Sequence, residues 1–267
     1  MTTDGSPVLA PGAEAAVPRP RQMTTDEQRL KAREHPGVRP VMYQTWRSLS
    51  FLHWKLDPAA VRKLLPEGLS VDTCEGAAYV GLIPFTMRGI RLPWLPAVPG
   101  TSAFHETNVR TYVVDKHGRP GVWFFSLEAD NGLMVQIARK WYRLPYHRAR
   151  MDVQSDGRAS RYTSDRLGAR HAPATCRVVT ANYGKRFLAQ PGTLEFFLAE
   201  RYYLFTRSNG RLLIGQVSHV PYPLHTASCT ECEETLLQCV GFDRPKELPM
   251  AHFCSGVDVE IFRLRPV

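Results

Sequence analysis

The stretch that decides the fold runs from Phe104 to Arg150 and reads FHETNVRTYVVDKHGRPGVWFFSLEADNGLMVQIARKWYRLPYHRAR. In its first segment, Glu106, Asn108 and Arg110 alternate with other residues, so a strand points all three side chains to one face. The turn HGRPG then leads to a second strand, VWFFSLEA. A carboxyl, an amide and a guanidinium on one strand face predict a polar site inside the protein.

The segment after the second strand predicts a short helix. Its apolar residues recur at helical spacing and are Leu133, Ile137, Trp141 and Leu144. Its basic residues lie off that stripe and are Arg139, Lys140 and Arg143. Pro145 ends the helix, because the residue before a proline is pushed out of the helical region. We therefore expect a basic turn to face the polar strand.

The rest of the chain is rich in strand patterns. Tyr43 to Trp54 predicts a strand, and Asp57 and Pro58 then supply an N-cap and a first-turn proline for a short helix. A second strand, from Ala77 to Leu92, is expected to have a kink or bulge at Pro84. Ser-Asn-Gly at 208–210 is a strong hairpin signal. We expect a mainly β fold with a few short helices.

Length and composition indicate a folded protein that does not span a membrane. The 267 residues are 43% hydrophobic, and no apolar run approaches the roughly 18 residues of a membrane span. Residues 1–40 are rich in Ala, Pro and polar groups and lack the apolar core of a secretory signal. We therefore expect a disordered tail over 1–40 and a single domain over 41–267.

The basic excess fits either solvated surface arginines, which is the stronger interpretation, or an anionic partner. The formal net charge is +9, and between Arg139 and Arg177 ten basic residues stand against three acidic ones. Such a cluster can mark a nucleic-acid footprint, but no zinc-finger, RNA-recognition or helix-turn-helix pattern accompanies it. A positive cleft also attracts small anions. We favour a small anionic ligand over nucleic acid.

The six cysteines indicate a reducing, cytoplasmic compartment. Cys229 and Cys232 form a CxxC motif, with Cys239, His252 and Cys254 further along the chain. This set lacks the paired short spacing of a zinc ribbon or finger. We expect structural thiols, no metal and no cofactor.

Several strings in the chain resemble a known family. They are HW at 53–54, FHETNVRTYV, GRPGVWFFSLEA and IARKWYRLPY, and they look like the bacterial family catalogued as domain of unknown function 2071, over residues 41 to 265. That family is similar to the acetoacetate decarboxylase superfamily. The resemblance implies a closed antiparallel β-barrel around a mostly apolar cavity.

The resemblance breaks at the reactive lysine. In acetoacetate decarboxylases the cavity glutamate follows an aromatic residue, which Phe104 and Glu106 match. The Schiff-base lysine follows a proline, and here Pro145 is followed by Tyr146 and His147. A phenol cannot form the iminium that the decarboxylase mechanism needs. The resemblance therefore implies the fold without implying that reaction.

The predicted site combines the polar strand with the basic turn. The expected catalytic residues are Glu106 as base, Arg139 as the group that holds a carboxylate, and Tyr146 as acid. The expected ligand-binding residues are Asn108, Arg110, Tyr142 and His147. A purely structural role is the alternative for the carboxyl and for the tyrosines. In that case Glu106 would form an ion pair with Arg110 or Arg139, and the tyrosines would only line the interior.

Three classes of function follow from these residues. The first is a lyase- or isomerase-type enzyme that acts on a small keto or carboxylic acid without a Schiff base. The second is a binding protein that holds such a metabolite without turnover. The third, least favoured, is an oligomeric or nucleic-acid-associated basic protein. Assembly into a homo-oligomer is left open.

Overall fold

The computed structural model describes residues 24–97, 102–168 and 172–267. In these ranges the chain forms one thirteen-stranded sheet with five short helices. The strands are β1 (Met42–Leu56), β2 (Leu69–Val71), β3 (Ala78–Arg91), β4 (Phe104–Asp115), β5 (Pro120–Ala129), β6 (Tyr146–Ser155), β7 (Ala159–Arg166), β8 (Thr175–Phe187), β9 (Tyr203–Ser208), β10 (Arg211–Ser218), β11 (Leu224–Glu234), β12 (Met250–Ile261) and β13 (Arg265–Pro266). The helices are α1 (Asp26–Arg33), α2 (Pro58–Leu64), α3 (Gly132–Trp141), α4 (Leu194–Ala199) and α5 (Leu236–Cys239). The expectation of a mainly β fold is confirmed.

The strand order is β13-β10-β9-β5-β6-β7-β8-β11-β12-β1-β3-β4-β2, with additional pairings of β10 with β12 and of β5 with β4. Strands β12, β1, β3, β4 and β5 therefore form a continuous run. Two other sets of strands connect the ends of this run: β10 and β9 form one, and β11, β8, β7 and β6 form the other.

Strand β5 departs from the expected antiparallel arrangement. It pairs in parallel with β6, where Leu127 is opposite Tyr146, and with β9, where Val122 is opposite Leu204. The expectation of a wholly antiparallel sheet is therefore wrong. Between β5 and β6 the physical reason is α3, because a strand that re-enters beside its predecessor in the same direction needs a crossover connection.

Three local features that the sequence predicts occur in the structure: a helix cap, a hairpin turn and an irregularity at a proline. The Asp57 side chain accepts a hydrogen bond from the Ala59 backbone and caps α2. Asn209 and Gly210 have positive φ angles of 48° and 76°, as a two-residue hairpin turn requires. Pro84 lies in β3 where the pairing with β1 is interrupted, because proline has no N–H to donate.

Residues 24–40 contain helix α1 and pack against the sheet, which differs from the expectation of disorder for this part of the chain. Helix α1 begins with a capping box between Thr25 and Gln28. Arg29 is only 4% exposed and forms a salt bridge of 3.2 Å with buried Asp72. The polar composition of this segment hid that contact, because Asp72 is distant in the sequence. The remaining residues of the expected tail, 1–23, lie outside the described residues.

The run of strands β12, β1, β3, β4 and β5 lies between two of the three hydrophobic clusters of the described residues, and we call these two the first and the second core. On β4, Val109 and Val113 belong to one core, whereas Phe104 belongs to the other. On β3, Val80 and Ile83 divide in the same way. The even-numbered face of β4, which carries the predicted polar site, therefore faces the second core. No helix within the described ranges is long and apolar enough to cross a membrane.

Candidate functional site

A cavity of about 120 Å³ lies in the second core. Its walls come from β1, β3, β4, β5, β6, β9, β10, β12, α3 and nearby loops, and most of the lining side chains are apolar. Glu106, Asn108 and Arg110 all line it, as the alternation of β4 predicts. Such a cavity, mostly apolar with a few convergent polar groups, is typical of small-molecule sites.

A bulge in β5 helps to shape the cavity wall. Val109 is opposite Ser126, but Arg110 is opposite Phe124, so Phe125 is an extra residue on β5. A bulge of this kind re-aims the side chains that follow it, and bulges are frequent beside functional sites. As a result, Phe124 and Leu127 both line the cavity.

Glu106 is the buried carboxyl group of the site. It is 3% exposed, accepts a 2.6 Å hydrogen bond from the Tyr146 hydroxyl and a long one of 3.4 Å from Asn108 Nδ2. Burial raises the pKa of Glu106 to about 7, although both hydrogen bonds lower it. Glu106 forms no salt bridge within the described ranges, so the ion-pair alternative does not hold.

The two predicted tyrosines both line the cavity. Burial raises the pKa of Tyr146 well above its usual value, and the carboxyl of Glu106 raises it further, so Tyr146 stays a hydrogen-bond donor. Burial raises the pKa of Tyr142 to about 12. The Tyr142 hydroxyl has no hydrogen-bond partner in the part of the chain that the structure describes. It is therefore free to meet a ligand oxygen.

Arg110 is a buried cation without an anion. It is 8% exposed, and its Nε and Nη2 have no hydrogen-bond partner among the described residues. Its guanidinium lies 5.7 Å from the ring centroids of both Phe51 and Tyr112, and it forms no salt bridge with a described residue. A charge that is buried without a partner is costly. Arg110 is therefore a positive charge in the cavity wall that no described anion neutralises.

Arg201 also lines the cavity, and the sequence analysis missed it. Its Nη1 donates to Asp72 at 2.6 Å and its Nε to the Phe197 carbonyl at 2.7 Å, whereas its Nη2 has no partner among the described residues. Arg201 lies after α4, outside any periodic pattern. Asp72, which holds it in place, is 129 positions away. No local signal in the sequence could have found it.

Two predicted site residues do not line the cavity. Arg139 donates from Nε to the Tyr146 carbonyl oxygen at 2.7 Å, so it contacts the turn that carries Tyr146. His147 follows Tyr146 in β6 and points to the other face of the strand. Lys140 is exposed on α3, and no lysine is among the cavity-lining residues that the structure describes.

The face of helix α3 that lines the cavity differs from the apolar stripe that the sequence predicts. Met134, Ile137 and Ala138 line the cavity, whereas Leu133 and Trp141 are 57% and 59% exposed. The expected stripe is therefore wrong in two of its members. The helix spans only ten residues and covers the cavity from one side, so contact with the sheet selects its inner face.

The CxxC cysteines lie on β11, away from the cavity. The Cys229 thiol donates to the Glu231 carbonyl oxygen at 3.2 Å. A bulge separates the pairing of Cys229 from that of Glu231. No group of three side chains suited to a metal ion occurs in the described ranges.

Comparisons with known proteins identify the family of the chain. Residues 43–258 match the family model DUF2071, described as an uncharacterized conserved protein. The chain is 36% identical over 227 residues to the uncharacterized protein YqjF of Bacillus subtilis (strain 168), which covers 84% of this chain and 92% of that protein. The chain therefore belongs to the DUF2071 family, as the sequence resemblance indicates.

Solved structures show the fold. The enduracididine biosynthesis enzyme MppR complexed with pyruvate matches with a TM-score of 0.61 at 16% identity, over 87% of this chain and 93% of that one. The acetoacetate decarboxylase of Legionella pneumophila matches with a TM-score of 0.57 at 14% identity, over 97% and 98%. The fold is thus acetoacetate decarboxylase-like.

Proposed function

We propose that the cavity binds a small carboxylic or keto acid and that Glu106 moves a proton at the bound ligand. The observation that carries this proposal is the buried Glu106 carboxyl, paired with the Tyr146 hydroxyl at 2.6 Å in the same cavity as the unpartnered Arg110. Arg110 supplies a cation for the carboxylate of the ligand. Glu106, with a pKa of about 7, exchanges a proton readily near neutral pH.

The proposed reaction is a proton transfer next to a carbonyl group. The Glu106 carboxylate accepts a proton from the carbon beside the carbonyl, and the ligand becomes an enolate. The free Tyr142 hydroxyl donates a hydrogen bond to the enolate oxygen. Tyr146 returns a proton to the ligand, and the protonated Glu106 then gives the abstracted proton to the Tyr146 phenolate through their 2.6 Å hydrogen bond, which restores both groups. Such a step belongs to lyase- or isomerase-type chemistry and needs no amine.

The ligand class has independent support. The chain shares its fold with MppR, whose solved structure is a complex with pyruvate, a small keto acid. A Schiff base with such an acid requires a lysine, and no lysine is among the described residues that line the cavity. A mechanism without an iminium therefore fits this site better than the decarboxylase mechanism.

The sheet that surrounds the cavity is also part of the proposal. We propose that the sheet is a closed barrel and that the residues from α1 onward form one domain. The pairings of β4 with β5 and of β10 with β12 support closure, because they join strands that are separated in the sheet order. Closure explains how a polar site is kept away from bulk water.

A second candidate is binding without turnover. It is favoured by the hydrogen bond that Tyr146 donates to Glu106. A carboxyl that already accepts a hydrogen bond from the protein can serve to stabilise the cavity wall rather than to move a proton. In that case Arg110 still binds the acid, but no proton moves.

Proton exchange in heavy water distinguishes proton transfer from binding without turnover. Pyruvate, 2-oxobutanoate and acetoacetate are incubated with the protein, and loss of their exchangeable C–H signals is followed by NMR. We expect faster exchange than in buffer, and loss of this effect in Glu106→Gln. The matched control is Glu200→Gln, because Glu200 also accepts a 2.6 Å hydrogen bond from a tyrosine, Tyr202, but does not line the cavity. Binding without exchange selects the second candidate.

A further inference from the structure

One end of the cavity is formed by two guanidiniums. Arg110 and Arg201 both line it, and both approach the ring of Tyr112, at 5.7 Å and 4.9 Å from the ring centroid. We call this end, formed by Arg110 and Arg201, the floor. Phe104 is six positions before Arg110 on β4, roughly 20 Å away along the strand, so the other end of the cavity lies toward Phe104 and Met87.

The charges at the floor do not balance. Three buried arginines, Arg29, Arg110 and Arg201, stand against two aspartates, Asp26 and Asp72. Three minus two leaves one positive charge, and Arg110 carries it because it has no salt bridge within the described residues.

The other titratable neighbours of Arg110 do not supply a negative charge. Burial lowers the pKa of His53 well below its usual value, and Arg110 lowers it further, so its ring is neutral at pH 7. Burial lowers the pKa of His219 to about 4, so that ring is neutral as well. Burial raises the pKa of Tyr222 far above neutral pH, so its phenol keeps its proton. The floor therefore has one charge for an anion to neutralise.

We infer that the floor binds the carboxylate of a monocarboxylic acid, held jointly by Arg110 and the free Nη2 of Arg201, with the apolar part of the acid directed toward Phe104 and Met87. This inference rests on the proposed function and adds the orientation and class of the ligand. It also assigns Arg201 as a ligand-binding residue.

The surroundings of Arg201 suit this role. Asp72 and the Phe197 carbonyl hold two of its three nitrogens, so the third is fixed in direction before a ligand arrives. A planar guanidinium that is fixed in this way loses little freedom on binding a carboxylate. Methionines at 42, 87 and 134 line the cavity beyond the floor and can adapt to chains of different shape.

The apolar end of the cavity argues for one carboxylate rather than two. The side chains around Phe104 and Met87 include Met42, Phe85 and Ile261, none of which can pair with a charge. The Gln44 amide also lines the cavity, but it already donates to Met42 Sδ and accepts a hydrogen bond from Trp46 Nε1, and it carries no charge. A second carboxylate at that end loses its hydration without a partner. A dicarboxylate is therefore expected to bind worse than a monocarboxylate of the same length.

The test compares three probes of equal chain length by calorimetry at pH 8: hexanoate, its methyl ester and adipate. We expect hexanoate to bind the full-length protein at least tenfold more tightly than either of the others, the order expected for a charged hydrogen bond. If the ester binds as well as hexanoate, the floor is not an anion site. If adipate binds as well, the monocarboxylate assignment is wrong, and if hexanoate does not bind, the inference fails entirely.

Variants test the role of Arg201 itself. Arg201→Lys keeps a cation for Asp72 but removes the free Nη2, and we expect it to weaken hexanoate binding about tenfold. The matched control is Arg166→Lys, because the side chain of Arg166 is also only 5% exposed and pairs with Glu128 at 2.6 Å, but Arg166 does not line the cavity. Equal weakening in both variants, or none in Arg201→Lys, overturns the assignment.

The two proposals fail in different ways. If Arg110→Met abolishes hexanoate binding but Arg201→Lys leaves it unchanged, acid binding stands and the two-arginine floor is wrong. If both arginines matter but no keto acid exchanges its protons, the floor stands and the proposed proton transfer is wrong. Circular dichroism and the urea midpoint of each variant show whether a loss of binding reflects a loss of folding.

Discussion

The hydroxyl of Tyr146 donates a 2.6 Å hydrogen bond to the carboxyl of Glu106 and thereby joins the start of β6 to β4 over the intervening strand β5. Both groups are almost fully buried, with exposed fractions of 8% and 3%. The pair stands where the resemblance to decarboxylases places a glutamate and a lysine. A phenol at this position donates to the glutamate but cannot act as the amine nucleophile of a Schiff base.

The first prediction concerns stability as a function of pH. The pKa of Glu106 is raised from 4.5 to about 7 in the folded protein, so the folded state binds the proton more tightly than the unfolded state. The contribution of this group is therefore fully present below pH 4.5 and is lost as the pH rises through about 7, by roughly 3 kcal/mol in total. Urea unfolding of the wild type and Glu106→Gln between pH 4.5 and 8 measures it. A stability difference between the two that does not change with pH contradicts the raised pKa.

The second prediction concerns Tyr146→Phe. The hydrogen bond from Tyr146 lowers the pKa of Glu106, so its removal raises that pKa further. We expect the pH midpoint of the proton-exchange reaction to move upward, and the free energy of unfolding to fall by about 1 kcal/mol. Tyr202→Phe, which removes the same type of bond from Glu200, is the control and should leave the exchange midpoint in place. A midpoint that stays constant in Tyr146→Phe means that the two groups are not coupled.

The third prediction concerns covalent chemistry. Treatment with acetoacetate and borohydride should leave the mass of the protein unchanged, because Tyr146 cannot form an iminium and the described cavity-lining residues include no lysine. Intact-protein mass spectrometry checks this, with an acetoacetate decarboxylase as positive control. A stable adduct that maps to Lys140 would falsify the prediction and restore the amine mechanism.

The fourth prediction concerns the N-terminal helix. Arg29→Ala removes one of the two guanidiniums that neutralise buried Asp72, and we expect the free energy of unfolding to fall by on the order of 3 kcal/mol. Arg33→Ala is the control on the same helix, because Arg33 is 39% exposed and lies 3.8 Å from Glu200, and it should cost less than about 1 kcal/mol. Urea denaturation compares the two. Similar losses in both variants show that the Arg29–Asp72 pair has no special role.

Part of this protein follows from its sequence alone. The alternation of Glu106, Asn108 and Arg110 determined that they share a face, because successive side chains of a strand point to opposite sides whatever the strand packs against. The helix cap at Asp57 and the hairpin turn at Asn209 could also be predicted, because each depends only on residues that are adjacent in the sequence. The position of Tyr146 beside the glutamate followed from family resemblance rather than from periodicity.

Only the tertiary structure decided the rest. The pKa of Glu106 depends on how completely the cavity excludes water, and the inner face of α3 depends on which strands lie beneath it. Arg201 reaches the floor because Asp72, 129 positions away, holds it there. Local periodicity sets the direction of a side chain from its own backbone, whereas burial and pairing depend on segments that meet only after folding, so no pattern within one segment contains them.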